Sequence, residues 1–505
     1  MIVAMTYCFM FKTTKTIKNI KKISKSNAGG VYSMFGPVYK RKEGEIQPGI
    51  NLHMFKFVLR LPFVHYRFEW PDYCQGLLLC AVCLGIIPVL QEYLGMPFEI
   101  AITIVIMNGF LYCTHSHLGD PVVPGWITPA IPLLLLWLQT FPMDTVERLH
   151  ALIAFEFELG ALTLFLGATG LARRVVNMVP DALKSGILIG AGIAAVRLVF
   201  NPGGSFDKYP WTIAIAIGFA FYILFSNHFK SIMNQSKVLQ VISDLGLLPA
   251  MILAVIIAPL FGELPWPTIE WGFTNPQFYE LFTQWTPFAA SVGFPGIAYF
   301  ISAAPLVIAV YVVLFGELIQ ADALIDEARE FRNGDENVHF DANRNNVICG
   351  ARNIFMSLLG PDISMCGPLW AAMQVVICER YKHGRQAMDS LIGGVASFRL
   401  GTFTGYWLAP IVSFVKPVLP IALALTMLIQ GYVAVRVGIL RSKTFNDLGV
   451  AGIIAGVLVS RGAGYAFGVG IVLCLLVFGK DFFQRQMNVY DTKKDPVFNG
   501  QIHNQ

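Results

Sequence analysis

Apolar residues in this chain gather in long runs, and the stretches between them are short and rich in Gly, Pro, Lys and Arg. Runs of this kind mark membrane-crossing helices, each needing about 20 apolar residues. Fourteen segments are predicted. The first seven run roughly over 75–95, 98–114, 126–140, 148–170, 179–200, 210–227 and 243–261. The second seven run over 297–322, 342–359, 366–379, 386–412, 418–436, 447–459 and 462–479. Several are too short to cross alone. The positive-inside rule supports the count. With the N-terminus inside, every even-numbered connection should be basic. Arg173 and Arg174 follow segment four, Lys230 and Lys237 segment six, and Arg329, Arg332 and Arg344 segment eight. Arg380, Lys382 and Arg385 follow segment ten, and Arg436, Arg441 and Lys443 segment twelve. The long outside connection from Gly262 to Gly296 has no Lys or Arg. Both termini are therefore expected in the cytosol.

The two sets of seven are separated by that outside loop. An odd number per half makes the second half enter the membrane from the opposite side, the condition for an inverted repeat. Repeat one is expected at about 75–261 and repeat two at about 297–479. Gly186 and Gly190, Gly452 and Gly456, and Gly464 and Gly468 stand four apart, a spacing that suits close helix packing.

Composition agrees. Hydrophobic residues make up 55% and charged residues 14%, with mean hydropathy +0.59. Soluble domains carry about 25% charged residues, so a soluble enzyme, a fibrous protein and a disordered chain are excluded. Seven of the nine cysteines lie in apolar segments, where cysteine acts as a small hydrophobe. Cys80 and Cys83 form a CxxC without a second pair, which favours packing over metal chemistry. Residues 1–70 carry twelve Lys/Arg against three acids and are expected to form a basic cytosolic arm. Within it, Thr13–Ser26 reads either as a basic interfacial helix or as a flexible tail. The membrane domain is expected over 71–480, with a cytosolic tail at 481–505.

Segments three and ten are broken. Before segment three, prolines at 121, 124, 129 and 132 forbid a continuous helix. An extended approach should become a short helix near Trp126 or Ile127. Before segment ten the chain reads Gly360 to Pro368, and Pro368 suits the first turn of a helix starting near Gly367. Irregular backbone at membrane depth is tolerated only beside protein or a watery cavity. Two half-helix N-termini facing one another would favour an anion. The plainer reading is two proline-kinked structural helices.

Single residues sharpen this. Glu317 follows the apolar run Leu306–Phe315, and an intramembrane carboxylate is a functional hypothesis by default. It is the candidate proton carrier, with a salt bridge to a nearby cation as the alternative. Gln320 lies one turn on and should share its face. Gln91, near the end of segment one, could point into the cavity, whereas Glu92 and Asp322 read as surface residues. Thr128, Cys366 and Gly367 neighbour the two half-helix starts and are candidate substrate contacts. His115 and His117 form an HxH with no further ligand fixed by spacing. Arg352, Arg399, Glu156 and Glu158 sit within segments, where each pairs or serves the substrate. Trp370 could stack on a planar ligand or pack.

Four stretches carry a family resemblance. Phe315–Asp326 resembles the eighth segment of sulfate-permease-type and nucleobase–ascorbate-type (xanthine–uracil permease-like) transporters, where a glutamate stands beside the substrate. Asn353–Pro361 resembles their ninth-to-tenth connection, Pro180–Gly190 their fifth segment, and Pro88–Glu92 their first. The resemblance spans roughly residues 70–480. It implies an all-α polytopic membrane fold of about 14 transmembrane segments in a 7+7 inverted repeat, with half-helices at segments three and ten. Segments one to four and eight to eleven would form a core domain, the rest a gate domain. Ala321 and Met365–Trp370 depart from the nucleobase signatures. About 25 residues follow segment fourteen, where the sulfate-permease type carries a regulatory domain. A divergent branch lacking that domain is expected.

The leading function is secondary active transport of a small anionic or polar solute by alternating access, coupled to a proton or another ion such as sodium. A nucleobase–proton symporter of the same fold is the alternative. Anion channel and membrane-integral enzyme are the other classes. No HExxH or GxxxxGK[ST] motif occurs, so neither an enzyme nor a built-in ATP pump is expected. No cofactor, resident metal or nucleic acid is expected. The expected partners are the solute, membrane lipid and a second copy in a homodimer. The expected location is the plasma or bacterial inner membrane.

Overall fold

The computed structural model describes residues 40–52, 55–142, 145–172, 179–233, 235–288, 292–332 and 334–479. Thr13–Ser26, Arg173, Arg174 and the 481–505 tail lie outside them. The protein is a multi-pass integral membrane protein, and most of its described residues are helical. Six helices among the described residues are long and apolar enough to cross a membrane, or seven if the pair Pro210–Phe225 and Asn227–Met233, bent by 61°, is one span.

The helices follow the predicted segments. Segment one is Trp70–Cys83, continued through a 3-10 turn at Leu84–Ile86 into Ile87–Leu94. Segment two is Phe98–His117, four Thr145–Thr169, five Asp181–Phe200, six Pro210–Phe225 and seven Leu248–Leu260. Segment eight is Ile297–Phe331, nine Ala342–Leu359, twelve Leu419–Arg441, thirteen Phe445–Arg461 and fourteen Ala463–Phe478. Proline in the first turn sets several of these starts, because its missing N–H has no helical partner to lose there.

Three boundaries differ from expectation. Segment eight runs past 322 to Phe331, since its Ala-, Glu- and Arg-containing end is good helix former outside the apolar zone. Segment eleven divides into Leu391–Tyr406 and Ala409–Val415, the second piece beginning with Pro410. Segment ten starts at Ala371, not near Gly367, because Cys366 and Gly367 are used in a strand and Pro368 lies before the helix.

Packing reproduces the repeat. Segment four packs on nine and eight, and segment eleven packs on two and one. Shifting each number by seven converts the first set of pairs into the second, as an inverted repeat requires. Segment five packs on twelve and thirteen, thirteen on fourteen, and six on seven and twelve. Glycine allows the closest crossings. A Cβ on Gly160 would lie 2.7 Å from Ile354 N, and one on Gly350 would lie 2.7 Å from Gly160 O. The expected Gly186–Gly190 pair does meet segment thirteen, with Ile454 Cβ 2.6 Å from the Cβ position of Gly186. Gly452, Gly456 and Gly468 face open space, so their spacing reflects no close crossing here.

Residues 40–69 are built into the body. Strand β1 (Ile50–Asn51) pairs antiparallel with β2 (Val58–Leu59), and Arg60 N donates to His117 O at 2.8 Å. The boundary at 70 therefore marks the first helix, not the start of packed structure. Between segments eight and nine, Asp335 accepts from Arg41 Nη1 at 3.1 Å and from Arg332 and Arg385. Burial pulls its pKa up, but the three guanidinium bonds overcome that and bring it down to about 2.

Two predictions follow from this packing. Gly350→Val should destabilise the protein by about 1–3 kcal/mol or more, seen as a lower melting temperature in detergent. Gly452→Val should melt with wild type, and equal melting of both variants would refute the close crossing. Asp335 has a depressed pKa, so its contribution is complete above its unfolded value near 4 and is lost as pH falls through about 2. Asp335→Asn should therefore melt earlier than wild type at neutral pH, with the gap closing on acidification over that window.

Candidate functional site

The two extended stretches meet. Strand β3 (Gly125–Trp126) pairs antiparallel with β4 (Cys366–Gly367), Gly125 opposite Gly367 and Trp126 opposite Cys366. From β3 the chain enters a 3-10 turn at Thr128–Ala130 and then the half-helix Ile131–Leu138. From β4 it enters Ala371–Lys382. Trp370 N donates to Val123 O at 2.6 Å, and Val123 N donates to Gln374 Oε1 at 2.7 Å. Met365, with φ of 51°, turns the chain into β4. Both half-helices thus begin beside one two-stranded bridge and point away from it.

Segment eight lies against that bridge. Glu317 is half-buried, and its Oε2 is buried without a hydrogen-bond partner. The same oxygen is 3.0 Å from where a Cβ on Gly367 would stand. Only glycine lets the carboxylate approach β4 so closely. Thr128 is half-buried and Gly367 buried. Cys366 is 2% exposed, with its backbone clamped by Asn353: its N–H donates to Oδ1 at 2.6 Å, and its carbonyl accepts from Nδ2 at 3.2 Å. Gln320, one turn past Glu317, is exposed. Gln91 is exposed in the last turn of segment one, just before the left-handed cap at Gly95. The bridge, Thr128, Cys366, Gly367 and Glu317 are therefore brought together, while Gln91 and Gln320 present their side chains outward.

Behind the bridge is a buried polar layer that sequence reasoning only partly found. Arg352 donates to Asn108 Oδ1 and, from Nη1, to Cys366 Sγ at 2.6 Å, with its guanidinium 3.8 Å from the Tyr112 ring centre. Asn108 Nδ2 donates to Asp362 and, at 3.3 Å, to Ser364 Oγ. Glu156 accepts from Asp362 N at 3.1 Å. The signals for Asn108 and Asp362 were present: an amide inside an apolar helix, and an acid after Gly-Pro in the broken stretch. Nothing local revealed that they meet.

Arg399 is 1% exposed and forms no ion pair among the described residues. None of its three guanidinium nitrogens meets an oxygen or nitrogen acceptor. Its charge lies 4.4 Å from the Tyr112 ring centre and 5.2 Å from that of Trp370, with the Cys83 thiol nearby. Trp370 thus serves Arg399 and packs edge-on to Phe398. A cavity about the size of one water, lined by Asn108, Tyr112, Trp126, Asp362, Ser364 and Tyr406, lies in this layer. A buried cation without a counter-charge is costly, and an anion close by would relieve that cost.

The class defined by fold and site is a polytopic membrane protein built as an inverted repeat, with two half-helices joined at mid-depth. No protein-family model matches the chain, and no curated protein matches it. Solved structures do. SLC26A9 superposes with a TM-score of 0.51 at 14% identity, covering 81% of this chain and 65% of that chain. The transmembrane domain of a cyanobacterium bicarbonate transporter, BicA, aligns with a TM-score of 0.49 at 15% identity, covering 78% of this chain and 96% of that one. Murine Solute Carrier 26 family member A9, an anion transporter in the inward-facing state, aligns with a TM-score of 0.49 at 15% identity, covering 83% and 69% respectively. The chain shares its fold with SLC26A9.

Arg399→Met tests the cost of the unpaired charge. Because an unpaired buried charge is replaced by a side chain of similar volume, the ligand-free variant should be as stable as wild type or more stable, by up to about 4 kcal/mol. Thermal unfolding in detergent measures this. A large loss of stability would show that Arg399 has a partner.

Proposed function

We propose that this chain is a secondary active transporter that carries a small anionic or polar solute across the membrane by alternating access. The solute binds between the starts of the half-helices of segments three and ten, beside Glu317. The observation that carries this reading is the β3–β4 bridge. It sets two half-helix N-termini, each with free N–H groups and partial positive charge, next to a carboxylate oxygen that has no partner. The unpaired Arg399 adds positive potential to the same layer. The fold shared with SLC26A9 is consistent with transport. Both termini lie in the cytosol in this reading, as the basic even-numbered connections require.

Coupling follows from charge. With Glu317 ionised, the carboxylate and an anion repel each other across the bridge. Protonation removes the repulsion, so proton and anion bind with positive coupling, on the order of 1–3 kcal/mol. The loaded, neutralised site then exchanges sides, and the proton leaves with the solute.

Two experiments test this. Purified protein is screened by thermal shift against nucleobases, carboxylates and inorganic oxyanions, since a ligand stabilises with the logarithm of its concentration over its dissociation constant. An oxyanion or carboxylate hit is expected; stabilisation by nucleobases alone would replace the anion reading with a nucleobase carrier. Uptake into proteoliposomes is then compared for wild type and Glu317→Gln. The variant should keep binding, lose its pH dependence and fail to accumulate solute on a proton gradient, while exchange survives. Accumulation equal to wild type would make Glu317 structural. Thr128→Trp should block binding without unfolding the protein, and normal uptake by it would move the site elsewhere.

A further inference from the structure

We infer that His115, Cys349 and Cys366 form a zinc site that pins strand β4 to segments two and nine. The residues come from three separate parts of the chain: the end of segment two, the middle of segment nine and β4 itself. All three are buried, and one ligand atom from each lies within 4.8 Å of the other two. His115 Nε2 is 3.7 Å from Cys366 Sγ. Two ligands of a tetrahedral zinc, at about 2.1 Å for nitrogen and about 2.3 Å for sulfur, stand roughly 3.6 Å apart. This edge of the triangle already has the right length.

The histidine is also oriented for a metal. Its Nδ1 meets Asp120 Oδ2 at 3.0 Å, and the same oxygen accepts from Asn345 Nδ2 at 2.6 Å. A carboxylate oxygen accepts, so Nδ1 carries the proton and the lone pair of Nε2 faces Cys366 Sγ at 3.7 Å and Arg352 Nη1 at 3.4 Å. A carboxylate behind a histidine is the usual outer partner of a zinc ligand, fixing tautomer and ring orientation. His117, the other half of the HxH, turns away and spends Nδ1 on Cys113 O at 2.5 Å.

Charge closes the argument. Zinc that replaces two thiol protons leaves the net charge of the layer unchanged, with the Arg352 guanidinium beside it. Binding deprotonates the two thiols, and the two protons leave to solvent. Arg352 Nη1 stands 2.6 Å from Cys366 Sγ and 3.4 Å from His115 Nε2, so zinc would have to lie on the side of this pair away from the guanidinium. Two soft thiolates and one imidazole select zinc over magnesium or calcium, which take oxygen. The competing arrangement is metal-free, with Arg352 Nη1 and His115 Nε2 both facing Cys366 Sγ.

The test is metal content of the full-length chain, purified in detergent without chelator. Wild type should carry close to one zinc per chain by mass spectrometry. Cobalt exchanged into the site should show a thiolate-to-cobalt charge-transfer band. Cys349→Ala and His115→Gln should each reduce zinc several-fold, and a strong chelator should lower the melting temperature of wild type but not of Cys349→Ala. Wild type that holds only background zinc and shows no charge-transfer band overturns the site, as does stoichiometric zinc that both variants retain. The wild-type measurements need no variant to fold and no substrate to be known, so their outcome is separate from that of the transport proposal.

Discussion

The constraint on which the rest depends is that peptide groups at membrane depth must be paired inside the protein. Residues 119–127 and 360–370 are not helical, so they lack the helix's own pairing, and each unpaired group would cost several kcal/mol in lipid. The solution is mutual. β3 takes its partner from β4, Val123 and Trp370 exchange a further bond, and Gln374 and Asn353 supply side-chain amides to what remains. Neither broken stretch is stable without the other, which ties the two repeats together at their centre. It also explains why segment nine, with Asn345, Asn346, Arg352 and Asn353 all buried, is polar on faces that a lipid-exposed helix could not tolerate.

Once the bridge exists, the electrostatics around it are set by what cannot be moved away. Helices two, four, eight, nine and eleven enclose it, and the crossing of four on nine is as close as backbone contact permits. Arg352, Asn108, Asp362, Ser364 and Glu156 are joined by hydrogen bonds in that layer, and Asp120 accepts from Asn345. Glu317 Oε2 and Arg399 remain outside this network. As buried groups of opposite charge without hydrogen-bond partners, those two are where an arriving solute or proton changes the energy most in the proposed reading.

A second polar cluster lies where segments one, eight and ten meet residues 40–69. Arg41, Arg332 and Arg385 converge on Asp335, and Arg380 joins Glu69 and Asp72 at 2.8 Å each. These bonds close one end of the helix group around the bridge, and they hold a stretch of chain that precedes the first segment.

The sequence alone determined the membrane class, the positions of the segments and the two breaks. Each of these is a local property: run length, charge between runs, and prolines that forbid helix. It also singled out Glu317 and Cys366, because a lone carboxylate in an apolar run and a thiol beside Gly-Pro are visible one residue at a time, and the structure sets Glu317 against the strand that holds Cys366. What it could not give was pairing. Whether Gly452 packs as Gly350 does depends on what stands opposite. Gln320 and Gln91 carry suitable chemistry but face outward, because rotation of a helix about its axis is decided by its neighbours. The start of segment ten moved from Gly367 to Ala371 because β4 claimed Cys366 and Gly367 first. The meeting of His115, Cys349 and Cys366, more than two hundred residues apart in part, exists only after helices two and nine and the β4 strand have packed. Burial and contact are properties of the assembled chain, and only the tertiary structure could decide them.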